Sequence, residues 1–354
     1  MFTQLLGALT APHGPDRYLE LVRPTWSRGN ARAEVVAVDR PGTGSVTVRL
    51  RPNRRWEGFR AGQFIRVGVE IDGVRETRCY SPACAEPADG EIEITVRAHP
   101  EGRVSNHLHE RARPGIFVEL SDADGDFTLP ERRPARLLLI SGGSGITPVI
   151  SILRTLCEER HGGEVSFLHY SQSPAFVTYD EELRRLARTH PNVRVLHSHT
   201  QTADAGDLDG HFNREHLRAA IGDHGSADAY VCGPPGLIEA VRAVYLEDGL
   251  ESRLHVESFL PPTLAIATDE AEGTVHFAAA GERVPNNGRT LLEQAEEAGL
   301  SPEFGCRMGI CHTCTCMKTA GATRNAISGE ISADEDEEIQ ICVSVPVGDV
   351  ELQI

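Results

Sequence analysis

No stretch of this 354-residue chain approaches the run of roughly 18 to 20 apolar residues that a membrane-spanning helix requires, and the apolar segment at residues 2–9 is far too short. Positive charge is also scarce. Lys and Arg number 35 against 52 Asp and Glu, a formal net charge of −17. That balance argues against a nucleic-acid partner, which clustered cations would hold, and favours docking on a basic protein surface. A basic segment followed by an apolar core and a cleavage site is missing from the start of the chain. The nine cysteines are therefore expected in a reducing compartment, the cytoplasm, where thiols serve metals or chemistry rather than disulfides. The 15 histidines are scattered, with neither a two-His-one-carboxylate nor a multi-His diiron pattern, which disfavours an oxygenase. His107 with His109, and His197 with His199, read as strand or surface residues.

At ~150 residues per domain the length allows two to three domains. Residues 1–32 form an N-terminal extension containing a short helix. Between 33 and 131, alternating runs at 33–38, 45–50 and 91–96 separated by Gly, Pro and Asp turns predict an antiparallel β-barrel. From 132 to 262 the texture changes. A continuous apolar strand at 136–140, a glycine turn, a helix to about 159 and a strand at 164–170 make a βαβ unit. Strands at 193–197 and 229–232, with helices at 180–188 and 235–246, extend it into a doubly wound α/β domain. The Pro261-Pro262 pair and the acidic stretch 263–272 read as a linker. A hairpin at 274–284 and a helix near 290–298 open a small α+β domain over 273–354.

The third part carries the sharpest signal. Cys306-Arg-Met-Gly-Ile-Cys311-His-Thr-Cys314, with Cys342 downstream, has the C-x4-C-x2-C and distant fourth cysteine of plant-type 2Fe-2S ligation. Two sulfide-bridged irons want four thiolates, three from a tight loop and one from a strand across the domain, and Gly305 and Gly309 let backbone amides approach the sulfurs. A structural zinc site is the competing reading. It would pair two short C-x2-C knuckles, and only Cys311 and Cys314 are so spaced. Cys316 is read as a bystander. Residues 273–354 as a whole resemble a plant-type ferredoxin domain, a β-grasp fold.

In the first part, Arg78-Cys79-Tyr80-Ser81 resembles the R-x-Y-S flavin motif of the ferredoxin-NADP reductase superfamily, whose barrel carries FAD. In such a site Arg78 neutralises the dinucleotide pyrophosphate, Tyr80 stacks on the isoalloxazine and Ser81 hydrogen-bonds flavin N5. Thr95-Val96-Arg97 and Gly102-Arg-Val104-Ser105 resemble the family's second flavin segment, a strand edge facing the ring and a turn whose backbone amides bind phosphate.

In the second part, Ser141-Gly142-Gly143-Ser144-Gly145-Ile146-Thr147-Pro148 follows a strand and opens a helix, as a dinucleotide pyrophosphate site requires. It departs from G-x-G-x-x-G and matches the superfamily's G-G-x-G-x-T-P, with Thr147 near flavin and nicotinamide. Cys232-Gly233-Pro234 resembles the family's C-G-P segment, whose cysteine approaches the nicotinamide; a buried inert cysteine is the alternative. Gln172 stands where an arginine for a 2′-phosphate is sought, and Arg184 and Arg185 could supply that charge. NADPH is favoured over NADH, with the choice left open. By the same resemblance Glu257 assists proton exchange and Phe259 covers the ring.

A nicotinamide gives two electrons and a 2Fe-2S cluster takes one, so a flavin must stand between them. The expected enzyme is an NAD(P)H oxidoreductase passing electrons through FAD and 2Fe-2S to a partner. The order of parts and the cluster loop resemble actinobacterial reductases serving membrane acyl-CoA desaturases, which implies a membrane-embedded acceptor and peripheral attachment through it. A ring-hydroxylating dioxygenase, an alkane hydroxylase or a haem monooxygenase as acceptor would leave every motif unchanged. A redox-sensing 2Fe-2S binding protein without turnover is the alternative of another class. The run Asp334-Glu-Asp-Glu-Glu338 reads as an acidic collar steering a basic partner, or as a solvated loop.

Overall fold

The computed structural model describes residues 31–40, 44–86, 90–100, 102–203, 205–259, 271–304, 309, 312–327 and 329–354. It divides into two compact units, residues 1–258 and 259–354, so the first two parts of the sequence pack as one body.

The first unit begins with six antiparallel strands, β1 (Ala31–Asp39), β2 (Ser45–Pro52), β3 (Ile65–Ile71), β4 (Val74–Tyr80), β5 (Ile92–Arg97) and β6 (Phe117–Leu120), and a helix, α1 (Arg103–Arg111), lies between the last two. The sheet order is β4-β3-β6-β1-β2-β5. A single antiparallel bridge between Pro82, just past β4, and Ile94 of β5 brings the outer strands together and closes the barrel. Period-2 alternation explains the interior: Val46, Val48 and Leu50 of β2 and Ile92, Ile94 and Val96 of β5 are buried in one cluster with Ile65 and Val67, while residues between them face outward. The predicted strands fall within one or two residues of the observed ones, and the barrel reading holds.

The rest of this unit is a parallel sheet of β7 (Arg136–Gly142), β8 (Glu164–Ser171), β9 (Val193–His199), β10 (Leu208–Asp209), β11 (Asp228–Cys232) and β12 (Leu254–Glu257), in the order β10-β9-β8-β7-β11-β12. β7 is buried along nearly its whole length, as a central strand covered on both faces must be. The covering helices are α2 (Ile146–Glu158), α3 (Asp180–Thr189), α4 (Arg214–Ile221) and α5 (Pro235–Glu247). Leu217 and Ile221 of α4 and Val241 and Tyr245 of α5 pack with Leu138, Ile140 and Leu168 on one face. The chain winds outward from β7 in both directions, so the strand order reverses between β7 and β11. That reversal opens a crevice at the carboxyl ends of these two strands. His197 and His199 are buried in β9, whereas His107 and His109 lie on α1 and not on a strand.

The second unit contains β13 (Thr274–Phe277), β14 (Glu282–Pro285), α6 (Leu291–Glu297), β15 (Thr315–Asn325), β16 (Ile331–Ser332), β17 (Glu337–Gln340) and β18 (Ser344–Leu352). The order is β14-β13-β18-β15-β16, with β17 on β15; β13 and β18 are parallel. Thr290 and Glu293 form a capping box that starts α6, worth about 1 kcal/mol. Leu291, Leu292 and Ala295 then turn one helical face onto Val275, Phe277 and Val350 of the sheet. This is the expected β-grasp arrangement. Lys318, the only lysine in the chain, is fully buried in β15. Its Nζ lies 3.0 Å from Glu337 Oε2 and donates to the Ser332 carbonyl at 3.2 Å.

No helix among the described residues is long and apolar enough to cross a membrane. The N-terminal extension, apart from residues 31 and 32 in β1, lies outside the described residues, as does most of the 263–272 linker.

Candidate functional site

The switch point of the parallel sheet is where glycine packs against glycine. A Cβ on Gly145 would collide with the carbonyl oxygen of Cys232 and lie 2.7 Å from the Gly233 nitrogen. One on Gly142 would sit 2.8 Å from Pro234 Cδ. The turn after β7 and the turn after β11 can approach this closely only because both are bare backbone. Gly143 and Ser144 are left at the outside of the turn, and α2 opens directly behind it with no side-chain cap. The Ile146 amide that begins α2 already donates to the Gly143 carbonyl, so the backbone N–H groups offered to an anion are those of the glycine turn that leads into the helix. Ile146, Thr147 and Pro148 are buried, and the Thr147 hydroxyl donates to the Ser144 carbonyl at 3.3 Å. This donor set fits a dinucleotide pyrophosphate.

Cys232 is wholly buried at the end of β11, in register with Ser141 of β7 and Glu257 of β12. Burial pushes its thiol well above the ordinary range, and the neighbouring Glu257 carboxylate adds to the effect. Glu257 is itself raised to about 7 by burial, opposed by a hydrogen bond from the Ser258 amide and reinforced by Asp126. A neutral thiol and a carboxyl that titrates near neutrality thus share one end of the sheet.

On the barrel, Arg78, Cys79 and Tyr80 occupy the end of β4 opposite Val67, Arg66 and Ile65. Among the described residues the Arg78 guanidinium donates only to its own neighbour, the Thr77 carbonyl, at 2.8 Å. Tyr80 leans on the barrel core, and burial raises its phenol well above the ordinary range, so it stays neutral. Ser81 is buried, and its Oγ has no hydrogen-bond partner among the described residues. A buried hydroxyl without a partner costs about 1–3 kcal/mol, and a ring nitrogen beside it would remove that cost. Gly102, predicted in a turn, instead caps the N-terminus of α1, which carries no acidic residue in its first turn and no side-chain cap. Ser105 Oγ donates back to the Gly102 carbonyl at 3.2 Å. The residues present fit a flavin dinucleotide: an arginine with no carboxylate partner among the described residues, a helix end without a side-chain cap, and a buried hydroxyl that meets no partner among them.

Not every predicted residue offers its side chain. Val96 and Val104 are buried in the barrel core, so only their backbone can serve a ligand. Thr95 bonds Thr47 at 2.8 Å and Tyr179, and the Arg97 guanidinium lies 5.2 Å over the Phe176 ring. Arg184 and Arg185, considered for a 2′-phosphate, are paired with Asp180 at 2.9 Å and Glu182 at 3.7 Å on their own helix, which weakens that use. Phe259 follows Ser258 as the first residue of the second unit and is half-buried.

In the second unit Cys314 and Cys342 are both buried in the core, and the Ile341 amide donates to the Cys314 carbonyl at 3.2 Å. Gly309 has φ +72°, and a Cβ there would lie 2.9 Å from Val343 and 3.0 Å from Ile327, so this loop position demands glycine. The pair and the glycine fit a thiolate-held cluster. Cys306 and Cys311 lie outside the described residues. Cys316 is half-buried against the same core, its thiol near the Met317 carbonyl. Of the acidic run, Glu337 turns in to Lys318, while Asp334, Glu335, Asp336 and Glu338 stay exposed.

Three family models match in sequence: an oxidoreductase FAD-binding domain over residues 42–129, an oxidoreductase NAD-binding domain over 139–243, and a 2Fe-2S iron-sulfur cluster binding domain over 278–347. The chain is 34% identical, over 99% of its length and 91% of the relative's, to an NADPH oxidoreductase of Mycobacterium tuberculosis. It belongs to the ferredoxin-NADP reductase superfamily with a 2Fe-2S domain. It is an oxidoreductase that uses NAD(P)H, FAD and a 2Fe-2S cluster. The glycine betaine monooxygenase reductase subunit of Pseudomonas aeruginosa strain UCBPP-PA14 is 31% identical over 82% of this reductase and 86% of that protein. In fold, the reductase matches phthalate dioxygenase reductase, with a TM-score of 0.60 over 92% of this chain and 98% of the other at 23% identity.

The motif residues were legible in sequence, but Glu93, Arg154 and Tyr179, which join the flavin-side strand to the nucleotide-side helices, carried no motif signal. The left-handed Tyr179 (φ 65°) could have been found only from the backbone.

Proposed function

We propose that this reductase draws electrons from NADPH at the β7–β11 switch point and hands them singly to the oxygen-activating component of an oxygenase. When bound, FAD supplies the one chemistry that the side chains lack, accepting two electrons with a hydride from the nicotinamide and releasing them one at a time. The chain's own residues bind and orient. Gly142, Gly143, Ser144 and Gly145 present the α2 N-terminus to the nucleotide pyrophosphate. Arg78 and the Gly102 end of α1 hold the flavin phosphates, and Tyr80 and Thr95 to Arg97 flank the ring. Ser81 Oγ would offer its hydrogen bond to a ring nitrogen of the flavin. Thr147 and Cys232 wall the nicotinamide side and exclude water, Glu257 holds or releases a proton near neutral pH, and Phe259 covers the ring. Cys306, Cys311, Cys314 and Cys342 ligate the cluster.

The observation that carries this reading is the unpartnered, buried Ser81 hydroxyl beside a strand end rich in flavin-motif residues. The Mycobacterium relative's name supports NADPH as donor, and the Pseudomonas relative's name supports an oxygenase acceptor. A membrane fatty acyl desaturase is the finer reading of that acceptor, carried by the resemblance of the cluster loop and domain order. The exposed acids 334–336 and 338 would steer a basic acceptor face, which predicts salt-sensitive turnover.

Anaerobic titration with NADPH and with NADH, following flavin bleaching and then the cluster bands, tests the donor. Ser81→Ala should keep its FAD and slow flavin reduction at least tenfold, about 1.4 kcal/mol of barrier. Unchanged reduction in that variant would remove Ser81 from the reacting centre. Reconstitution with a soluble oxygenase component and with a membrane desaturase separates the two acceptors.

A further inference from the structure

The face of β5 turned away from the barrel core is bound to the nucleotide-binding half through Arg154, Phe176 and Tyr179, which no motif contains. Residues 93, 95 and 97 point outward in turn. Glu93 Oε1 accepts from Arg154 Nη1 at 2.8 Å and from the Tyr179 hydroxyl at 3.2 Å. Thr95 Oγ1 bonds the same Tyr179 hydroxyl, and the Arg97 guanidinium lies over the Phe176 ring. Tyr179 and Phe176 belong to the segment between β8 and α3, while Arg154 stands on α2, the helix opened by the glycine turn.

Arg154 ties four pieces together. Besides Glu93, its guanidinium donates to Glu182 of α3 at 2.8 Å and to the Ala83 carbonyl at 2.6 Å, and it lies 4.8 Å over the Tyr179 ring. Ala83 is two residues past Ser81. On the same face of α2, Ser151 donates to the Cys84 carbonyl at 2.6 Å, and Thr155 Oγ1 accepts from the Glu86 amide at 3.0 Å. Both flavin-side segments, residues 81–86 and β5, are therefore clamped to the nucleotide helix. Tyr179 holds its place at φ 65°, a left-handed conformation that a bulky side chain adopts only where its surroundings impose it. Its phenol is kept neutral by burial and by Glu93.

We infer that Arg154 and Tyr179 are positioning residues for hydride transfer: they lock β5 and the segment after Ser81 to α2, setting the separation of flavin and nicotinamide from behind the site. Neither is among the residues assigned to the cofactors, and the contacts of both are with protein groups. Misplacement of about 1 Å between reacting partners costs up to a hundredfold in rate. The clamp therefore governs the rate of reduction rather than the affinity for nucleotide. The inference rests on the proposed NAD(P)H-to-flavin step.

The test is stopped-flow flavin reduction in the full-length, cofactor-loaded protein at saturating nucleotide. The variants are Tyr179→Phe, which keeps the ring and loses the hydroxyl, Arg154→Lys and Arg154→Met. FAD content and thermal stability are measured beside the rate, and nucleotide deuterated at C4 supplies the isotope effect. The expected result for Tyr179→Phe is a fall of about tenfold in the limiting rate with the half-saturating nucleotide concentration within about twofold, FAD retained and the isotope effect increased. Arg154→Lys should recover part of what Arg154→Met loses. Wild-type limiting rates in Tyr179→Phe and Arg154→Lys, or losses that only follow FAD content, would overturn the positioning role while leaving the enzyme's function intact. A wild-type protein whose flavin no nicotinamide reduces would overturn both.

Discussion

Replacing Glu257 with Gln should stabilise the flavin-free protein, increasingly as pH rises from about 4.5 to about 7. The carboxyl lies at the end of β12 beside the Cys232 thiol, with Asp126 adding negative charge, and burial lifts it from 4.5 to about 7. Between those values the folded chain binds a proton that the unfolded chain has released. Stability therefore falls as pH rises through this window and levels off above it. The full displacement corresponds to about 3 kcal/mol. Glu257 keeps partial solvent contact, so about 2 kcal/mol is the expected effect. Glutamine keeps the shape and cannot ionise. At pH 8 the Glu257→Gln protein should melt about 4–8 °C above wild type, and at pH 5 the gap should shrink to under about 2 °C. Thermal unfolding of the flavin-free protein from pH 5 to 8.5 reads this directly, with ligand linkage kept out. A difference that does not change with pH, or a variant less stable at pH 8, would refute the buried-carboxyl reasoning.

In the second unit, Glu337→Gln leaves the fully buried Lys318 ammonium without its counter-charge and should cost about 3 kcal/mol, whereas Lys318→Met, which fills the same space without a charge, should cost under about 1.5 kcal/mol. Urea titration of both variants decides, and equal losses would show that the ion pair is not what matters. Gly145→Ala drives a methyl into the backbone of Cys232 and Gly233, which cannot yield as a side chain would. It should cost about 2 kcal/mol and slow NADPH-driven flavin reduction at least tenfold with FAD content unchanged, as measured by absorbance and stopped flow.

Local patterns made most of this molecule legible. Period-2 runs marked β2 and β5, the continuous apolar run marked β7 as a central strand, and Thr290 with Glu293 marked the start of α6, because each depends on neighbours a few residues away. The glycine turn and the cysteine spacing were readable for the same reason: a helix N-terminus or a metal loop is assembled within about ten residues. Arg184 and Arg185 mark a limit of such reading, since a sequence shows that two cations exist but not that Asp180 and Glu182 lie beside them.

The sequence by itself determined three modules, their order, and the cofactors that each can hold, since those follow from local periodicity and from motifs contiguous in the chain. Tertiary structure alone decided that Ser81 meets no partner among the described residues, that Glu257 lies beside Cys232 and titrates near neutrality, that the one lysine is buried against Glu337, and that Arg154 and Tyr179 join β5 to α2. These depend on residues from 19 to 86 positions apart meeting in low-dielectric surroundings. There burial and partner identity, which no local pattern encodes, set both the charge state and the geometry.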